Sequence, residues 1–290
     1  MTLAGIKESL PPSVRRALGS TKAVVRRARI WWNVYRELSG VSANDKAVLR
    51  RALKAAPLDI FRDLDRWRDP VVSEDCRVKA KGVGEFSVRA HTDDLYHTLP
   101  SRETRVFATI RSYLRSGDTF VDAGANIGVY SVLASRLVGQ QGRVISFEMM
   151  PETAHILRDH LLENQCRNAI VIEGALSDKS GQQVTAYVKG EKHGQSSIIS
   201  QDGAVEVSVE TKTLKSELQG VAKVRLMKMD LEGADLLALK GLGTDIAKIN
   251  AIVYEEIGHN EVTAYLVNAG FLVTPFNAKD KFACREPESV

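Results

Sequence analysis

Thr119-Phe120-Val121-Asp122-Ala123-Gly124-Ala125-Asn126-Ile127-Gly128 reads as an apolar strand that ends in an acid, passes through a Gly-containing turn and opens a helix. Ligands of open α/β sheets bind at this carboxyl end of a strand. Gly124 and Gly128 remove side chains where the backbone must approach a ligand closely. A dinucleotide site wants G-x-G-x-x-G, with a helix N-terminus aimed at a pyrophosphate. Here the pattern is D-x-G-x-x-x-G, and Asn126 stands where the second glycine would be. That suits a ligand without phosphate, and leaves the Asp122 carboxylate to face a cationic or amine-bearing group.

Working outward, strand and helix patterns alternate from Thr119 to the C-terminus. The strands are Thr119–Asp122, Arg143–Phe147, Ile170–Glu173, Val224–Met229, Ala251–Tyr254 and a closing Leu272–Thr274. Between them lie helices at Gly128–Leu137, Pro151–Asn164, Thr213–Leu218, Ala234–Leu239 and Glu261–Asn268, with β-rich material over 183–211. This alternation predicts an α/β, doubly wound, Rossmann-like parallel sheet covered by helices on both faces. Upstream, Val78–Gly82 and Glu85–Arg89 alternate like two short strands, and a helix is expected near Arg102–Leu114. Before Pro70 the pattern is helical: an amphipathic helix from Pro12 to about Gly40, a second over Asn44–Ala56, and a third over Leu58–Trp67. Residues 1–70 therefore read as a basic helical extension, and 71–290 as the α/β domain with a core of about 84–275.

The second predicted strand ends in Glu148, 26 residues beyond Asp122. An acid at that tip can take both hydroxyls of a ribose. With Asp122 it describes a nucleoside carrying an amino-acid tail, S-adenosylmethionine, with Asp122, Gly124, Asn126 and Gly128 around the tail. A third constellation, Lys228-Met229-Asp230-Leu231-Glu232-Gly233-Ala234-Asp235, brings Asp230 and Glu232 to the same sheet edge. Glu255 and Glu256 follow the next strand, with His259 nearby. Acids converging on one rim repel one another, and make sense if they meet a sulfonium, hydroxyls or a proton in transit.

The chain resembles the FkbM family of methyltransferases. The resemblance rests on Phe120–Ser131 (FVDAGANIGVYS), Phe147-Glu148, Glu173–Asp178 (EGALSD), Gln195-Ser196-Ser197, Thr213-Leu214 and Lys228–Ala234 (KMDLEGA), in that order, within about residues 84–275. Phe86–Arg89 with Asp94-Leu95 also resembles the segment that precedes the core in that family. Met149-Met150-Pro151 departs from it, since the family usually has Pro directly after the acid. The resemblance implies a seven-stranded methyltransferase sheet with an antiparallel last strand. It also implies O-methylation of a hydroxyl on a sugar, glycolipid or natural product. Through it, Leu176, Ser177 and Asp178 are expected near the adenine.

A sugar hydroxyl is a poor nucleophile at neutral pH, so a base or a metal is expected. Asp230 or Glu232 is the expected base or hydroxyl orienter, with Glu255 as the alternative and Lys228 and His259 as weaker candidates. His91 and His97, ahead of the core, are further histidines that could reach the rim. Asp230, Glu255 and His259 could assemble an oxygen-rich Mg²⁺ site, but no ligand spacing demands a metal.

Composition narrows the class. The formal net charge is +4, yet residues 1–40 hold eight basic residues against two acidic ones, leaving −2 for the rest. A nucleic-acid enzyme would carry its positive field around the active site, and no Asn-Pro-Pro-Tyr-like or Pro-Cys pair sits at the fourth strand. A nucleic-acid partner is therefore not expected. Asp122, Glu148 and Asp230 argue against a non-catalytic cofactor-binding module. Cys76, Cys166 and Cys284 lack metal-ligand spacing and suit a reducing, cytoplasmic setting. No apolar run reaches the length of a membrane span. Trp31-Trp32 on the basic helix suggests an interfacial anchor at the inner membrane surface. The same stripe could instead pack on the domain or pair with a second copy.

Overall fold

Asp122, Glu148, Lys228 and Glu255 all stand at or near the carboxyl ends of parallel strands in one seven-stranded sheet. The computed structural model describes residues 12–64, 67–189, 192–197, 205–258, 260–277 and 279–285. His259 and the side chains of Val14, Leu18 and Gln195–Ser197 lie outside the described residues. The chain forms two compact units: residues up to Lys81 together with Ser87–Leu99, and Gly82–Phe86 together with Pro100 onward.

In the second unit, β4 (Thr119–Ala123), β5 (Arg143–Glu148), β6 (Ala169–Glu173), β11 (Leu226–Met229) and β12 (Ala251–Glu255) are parallel. β13 (Leu272–Pro275) and β14 (Asp280–Cys284) complete the order β13-β14-β12-β11-β4-β5-β6. The chain order reverses beside β4, which opens the crevice where ligands of such sheets bind. β14 runs antiparallel to both β12 and β13. It corrects the expectation that Leu272–Thr274 is the closing strand. Asp280–Cys284 returns and inserts between that strand and β12, supplying the antiparallel last strand. The connection is a tight Asn277 turn, whose side chain accepts the Lys279 and Asp280 N–H groups.

Both sheet faces are covered, so the central strands are continuous apolar runs rather than alternating ones. Val121, Ile145, Phe147, Met227, Ile252 and Tyr254 join Leu214, Leu239, Leu266 and Phe271 in one core. The covering helices include α4 (Thr104–Tyr113), α5 (Val129–Val138), α6 (Pro151–Glu163), α8 (Asp235–Lys240) and α9 (Glu261–Asn268), counting α7 (Leu214–Glu217) as the short helix before β11. The β-rich stretch is a second sheet of order β7-β10-β8-β9, made from Ala175–Leu176, Val205–Lys212, Gln183–Lys189 and Lys192–Ser197.

The first unit contains α1 (Pro12–Glu37), β1 (Leu38–Gly40), α2 (Ala43–Phe61), β2 (Cys76–Ala80) and α3 (Asp94–His97); β1 and β2 belong to a small sheet of order β1-β2-β3, where β3 is Gly84–Val88 and only its last two residues fall in this unit. Two expectations are corrected here. Leu38–Gly40 does not extend the first helix; it pairs antiparallel with Val78–Ala80 of β2. Asn44–Ala56 and Leu58–Trp67 are not two helices, because α2 runs unbroken through Pro57 to Phe61. Tertiary contacts outweigh the proline. Ser42 and Asp45 form a capping box at the start of α2. At its end the buried Arg27 guanidinium donates to the carbonyls of Asp59 and Asp63 at 2.9 Å each, and to that of Arg62. Among the described residues no helix is long and apolar enough to cross a membrane.

Candidate functional site

The turn after β4 is built by its neighbours. Gly124 has φ +81°, and a Cβ there would lie 2.1 Å from the Asp230 carbonyl oxygen. Gly128 has φ +87°, and its Cβ would meet Leu157 of α6 at 2.3 Å. The space each glycine leaves is therefore filled by protein: the β11 loop in one case and a covering helix in the other. Asn126 also takes a left-handed φ, +50°. Its N–H donates to Glu148 Oε2 at 2.9 Å, and Glu148 Oε1 accepts the Met150 N–H at 3.0 Å. Buried His160 donates from Nδ1 to the Ile127 carbonyl at 2.8 Å, pinning the turn from α6.

Asp122 is completely buried. Ser131 Oγ donates to its Oδ2 at 2.6 Å, and Ser146 Oγ lies 2.8 Å from Ser131 Oγ. Burial pushes the Asp122 carboxyl up, partly offset by the Lys228 ammonium and the Ser131 hydroxyl. Burial likewise pushes Glu148 up to about 6, against the pull of the backbone N–H groups of Met150, Asn126 and Met149.

At the tip of β11, buried Lys228 donates to Asp230 Oδ2 at 3.0 Å, and its ammonium lies 5.1 Å from the centre of the Tyr130 ring. Burial alone would lower the lysine, but Asp230, Asp122 and Glu103 outweigh it and hold it charged. The buried Tyr130 hydroxyl donates to Glu103, which also accepts from Arg102 at 3.1 Å. Glu232 sits in the loop that follows with φ +47°, a strained setting for a residue with a side chain. Burial, then Asp230 and Glu255, push its carboxyl up to about 7. Asp235 opens α8 at 2% exposure, and burial and Asp230 push it up to about 7 as well. At the end of β12, Glu255 takes Lys279 at 2.8 Å. Glu256 instead caps α9: its oxygens accept the Val262 and Thr263 N–H groups at 3.2 and 3.0 Å, with Lys281 at 3.3 Å.

Among the described residues, the buried side-chain oxygens without a hydrogen-bond partner include Asp122 Oδ1, Asn126 Oδ1 and Asp235 Oδ1. All three are acceptors, so the groups that would satisfy them are donors such as ammonium or hydroxyl. Of the remaining expected residues, Leu176 packs in the apolar core. Ser177 is buried and donates to Asp178 at 3.3 Å, while Asp178 is exposed. His91 and His97 belong to the first unit, where His97 Nε2 lies 3.3 Å from Asp93 Oδ2. No group of three or more His, Cys, Asp or Glu among the described residues is arranged to hold a metal ion.

Sequence reasoning left out Tyr130, Asp235, Glu103 and His160. Tyr130 and Asp235 lie inside the quoted motifs and could have been marked there. Glu103 and His160 have no local signal, because only tertiary folding brings them to the turn and the rim.

A family model described as methyltransferase FkbM domain matches residues 122–273, more than half of the chain. Methyltransferase sdnD of Sordaria araneosa is 28% identical over 199 residues, covering 56% of this chain and 76% of its own. Hexuronic acid methyltransferase AglP of Haloferax volcanii is 26% identical over 216 residues, covering 68% of this chain and 83% of its own. Among solved structures, methyltransferase FkbM from Methylobacillus flagellatus KT aligns with 15% identity and a TM-score of 0.43, over 90% of this chain and 59% of that one.

Proposed function

Because the chain belongs to the FkbM methyltransferase family, we propose that it moves a methyl group from S-adenosylmethionine to a hydroxyl of a sugar, glycan or related natural product. The observation that carries this reading is the set of buried, unpartnered acceptor oxygens at the ends of β4 and β11, beside a carboxylate already fixed at the tip of β5. They suit a ligand rich in N–H and O–H donors and carrying positive charge. A pyrophosphate would meet like charge from Asp122 and Glu148 instead. The name of AglP, a hexuronic acid methyltransferase, supports a saccharide as the acceptor class.

Asp122 and Asn126 would hold the amino-acid end of the cofactor, with the turn backbone at Gly124 and Gly128. Glu148 would take the ribose hydroxyls on the lone pairs its backbone N–H partners leave open. Ser177 and Asp178 would meet the adenine, with Leu176 beneath them in the core. The bound cofactor supplies an activated methyl on a sulfonium. The protein must then orient an acceptor oxygen in line and remove its proton.

Glu232 is the proposed base, because its carboxyl is poised near neutrality by burial and by like charges. Asp230 and Glu255 already hold ammonium partners, Lys228 and Lys279. Their role is to orient hydroxyls and to raise Glu232. Lys228 keeps the acidic rim from accumulating charge.

The test is transfer of labelled methyl from S-adenosylmethionine to a panel of uronic acids, neutral sugars and phenols, with the site of methylation read by mass fragmentation. Label on a sugar oxygen supports the reading. Label on nitrogen or carbon only, with no oxygen methylation of any acceptor, would overturn it.

A further inference from the structure

From Ser20 to Arg36, α1 contains no acidic residue and two opposed faces. One face is consumed inside the first unit. Ala23, Arg27, Trp31 and Val34 are buried there, and Arg27 clasps the end of α2 through the carbonyls of Asp59 and Asp63. Of the Trp31-Trp32 pair, then, only Trp32 faces out.

The other face mixes two chemistries. Lys22, Val25, Arg29, Trp32 and Arg36 recur at helical spacing and are exposed, with Tyr35 beside them. Val25 and Tyr35 are each 64% exposed and Trp32 57%, which is unusual for an indole ring unless it meets something. The Trp32 and Tyr35 ring centres lie 5.7 Å apart. Arg26 is engaged separately, over the Trp67 ring at 4.1 Å. Arg36 approaches the neighbouring Glu37 at 3.8 Å and remains largely exposed. The end of α2 that Arg27 clasps adds exposed Leu58 and Phe61 to the same unit.

We propose that this outer face of α1 seats the protein on an anionic lipid surface. Trp32 and Tyr35 would lie at headgroup level, while Lys22, Arg29 and Arg36 meet the negative headgroups. Charge decides the occupant. A two-fold pairing of copies through this face would set its cations against an identical set, which repels. A nucleic acid would need a wider positive field, yet the chain beyond residue 40 carries −2. A planar anionic surface matches both the rings and the cations.

The experiment is co-sedimentation of the full chain with phosphatidylcholine vesicles, and with the same vesicles containing roughly 30% phosphatidylglycerol, at about 0.1 M salt. The expected result is binding to the anionic vesicles only. Arg29→Gln and Arg36→Gln should each weaken it about fivefold. The double variant Trp32→Ala/Tyr35→Ala should weaken it at least about tenfold. All four positions are exposed, so thermal melts should match the parent protein.

The proposal falls if anionic vesicles bind no protein, if neutral vesicles bind as well, or if the substitutions leave binding unchanged. It also falls if light scattering shows a dimer that the same substitutions dissociate, or if a labelled RNA oligonucleotide binds this face more tightly than the vesicles do. Neither cofactor nor acceptor enters the measurement, so its failure leaves the catalytic reading intact.

Discussion

The Glu148 carboxylate at the tip of β5 accepts the backbone N–H of Asn126, 22 residues earlier in the chain, at 2.9 Å. One side chain thereby fixes the turn after β4 and presents its remaining lone pairs at the sheet edge. Its second oxygen holds Met150 at the entry to α6. The residue expected to read a ribose is also the residue that ties the turn after β4 to the start of α6.

Removing it should cost stability as well as binding. Glu148→Ala leaves the N–H groups of Asn126 and Met150 without their acceptor, and is expected to destabilise the fold by about 2–4 kcal/mol. Glu148→Gln keeps one acceptor oxygen but sets an amide against an N–H donor, so it should fall in between. Urea unfolding at neutral pH measures both. If Glu148→Ala unfolds with the parent midpoint, the side chain does not hold the turn.

The glycines of the turn can be ranked by what surrounds them. Gly124→Ala would drive a Cβ to 2.1 Å from the Asp230 carbonyl in a left-handed residue, and should cost about 3 kcal/mol or more. Gly181 has φ +78° with nothing within 4 Å, so Gly181→Ala should cost only about 1 kcal/mol. Thermal melts of the two variants check the order. Equal losses would mean that the β11 loop does not press on the turn.

The pH profile should expose Glu232. Its carboxyl lies near 7, so it is protonated and unable to take a proton at lower pH. kcat/KM is expected to rise about tenfold per pH unit below that value and to level off above it. Glu232→Gln should lose the rising limb and lower kcat by about two orders of magnitude or more. A limb that survives unchanged in Glu232→Gln assigns the base elsewhere, with Asp230 and Glu255 next to test.

Asp235 offers a linkage test. Its folded value, about 7, lies above the ordinary 3.8. Between those values the unfolded chain gives up its proton first, so this group lowers stability as pH rises from about 4 to 7, and the penalty persists above 7. Asp235→Asn should therefore be more stable than the parent by about 1–2 kcal/mol at pH 8, with the gain vanishing near pH 4. Melting temperatures across that range decide it. A variant less stable at pH 8 would show that the ionised carboxylate is favoured in the fold.

The α/β class was legible because strand and helix periods alternate over long stretches, and because the strand-turn-helix at Thr119–Gly128 has a local pattern. The departures arose where tertiary contacts beat local rules. Pro57 reads as a break, yet α2 passes through it with Arg27 clasping its end. Asp280–Cys284 is a short strand behind a polar turn, and only its slot between β12 and β13 makes it a strand. At the site, the acids Asp122, Glu148, Asp230, Glu232 and Glu255 could be read from strand ends. Their partners could not. Glu103 reaches Tyr130 from the segment before α4, and His160 reaches Ile127 from the far half of α6. Gly124 and Gly128 read in the sequence as openings for a ligand, and the structure also gives each a packing partner.

The crevice at the ends of β4 and β5 should accept a donor-rich sulfonium nucleoside. Calorimetric titration of the full chain with S-adenosylmethionine and, separately, with NAD decides between the two ligands. The sulfonium compound should bind stoichiometrically in the micromolar range, and NAD should give no heat. Saturable binding of NAD, with S-adenosylmethionine silent at millimolar concentration, would contradict it.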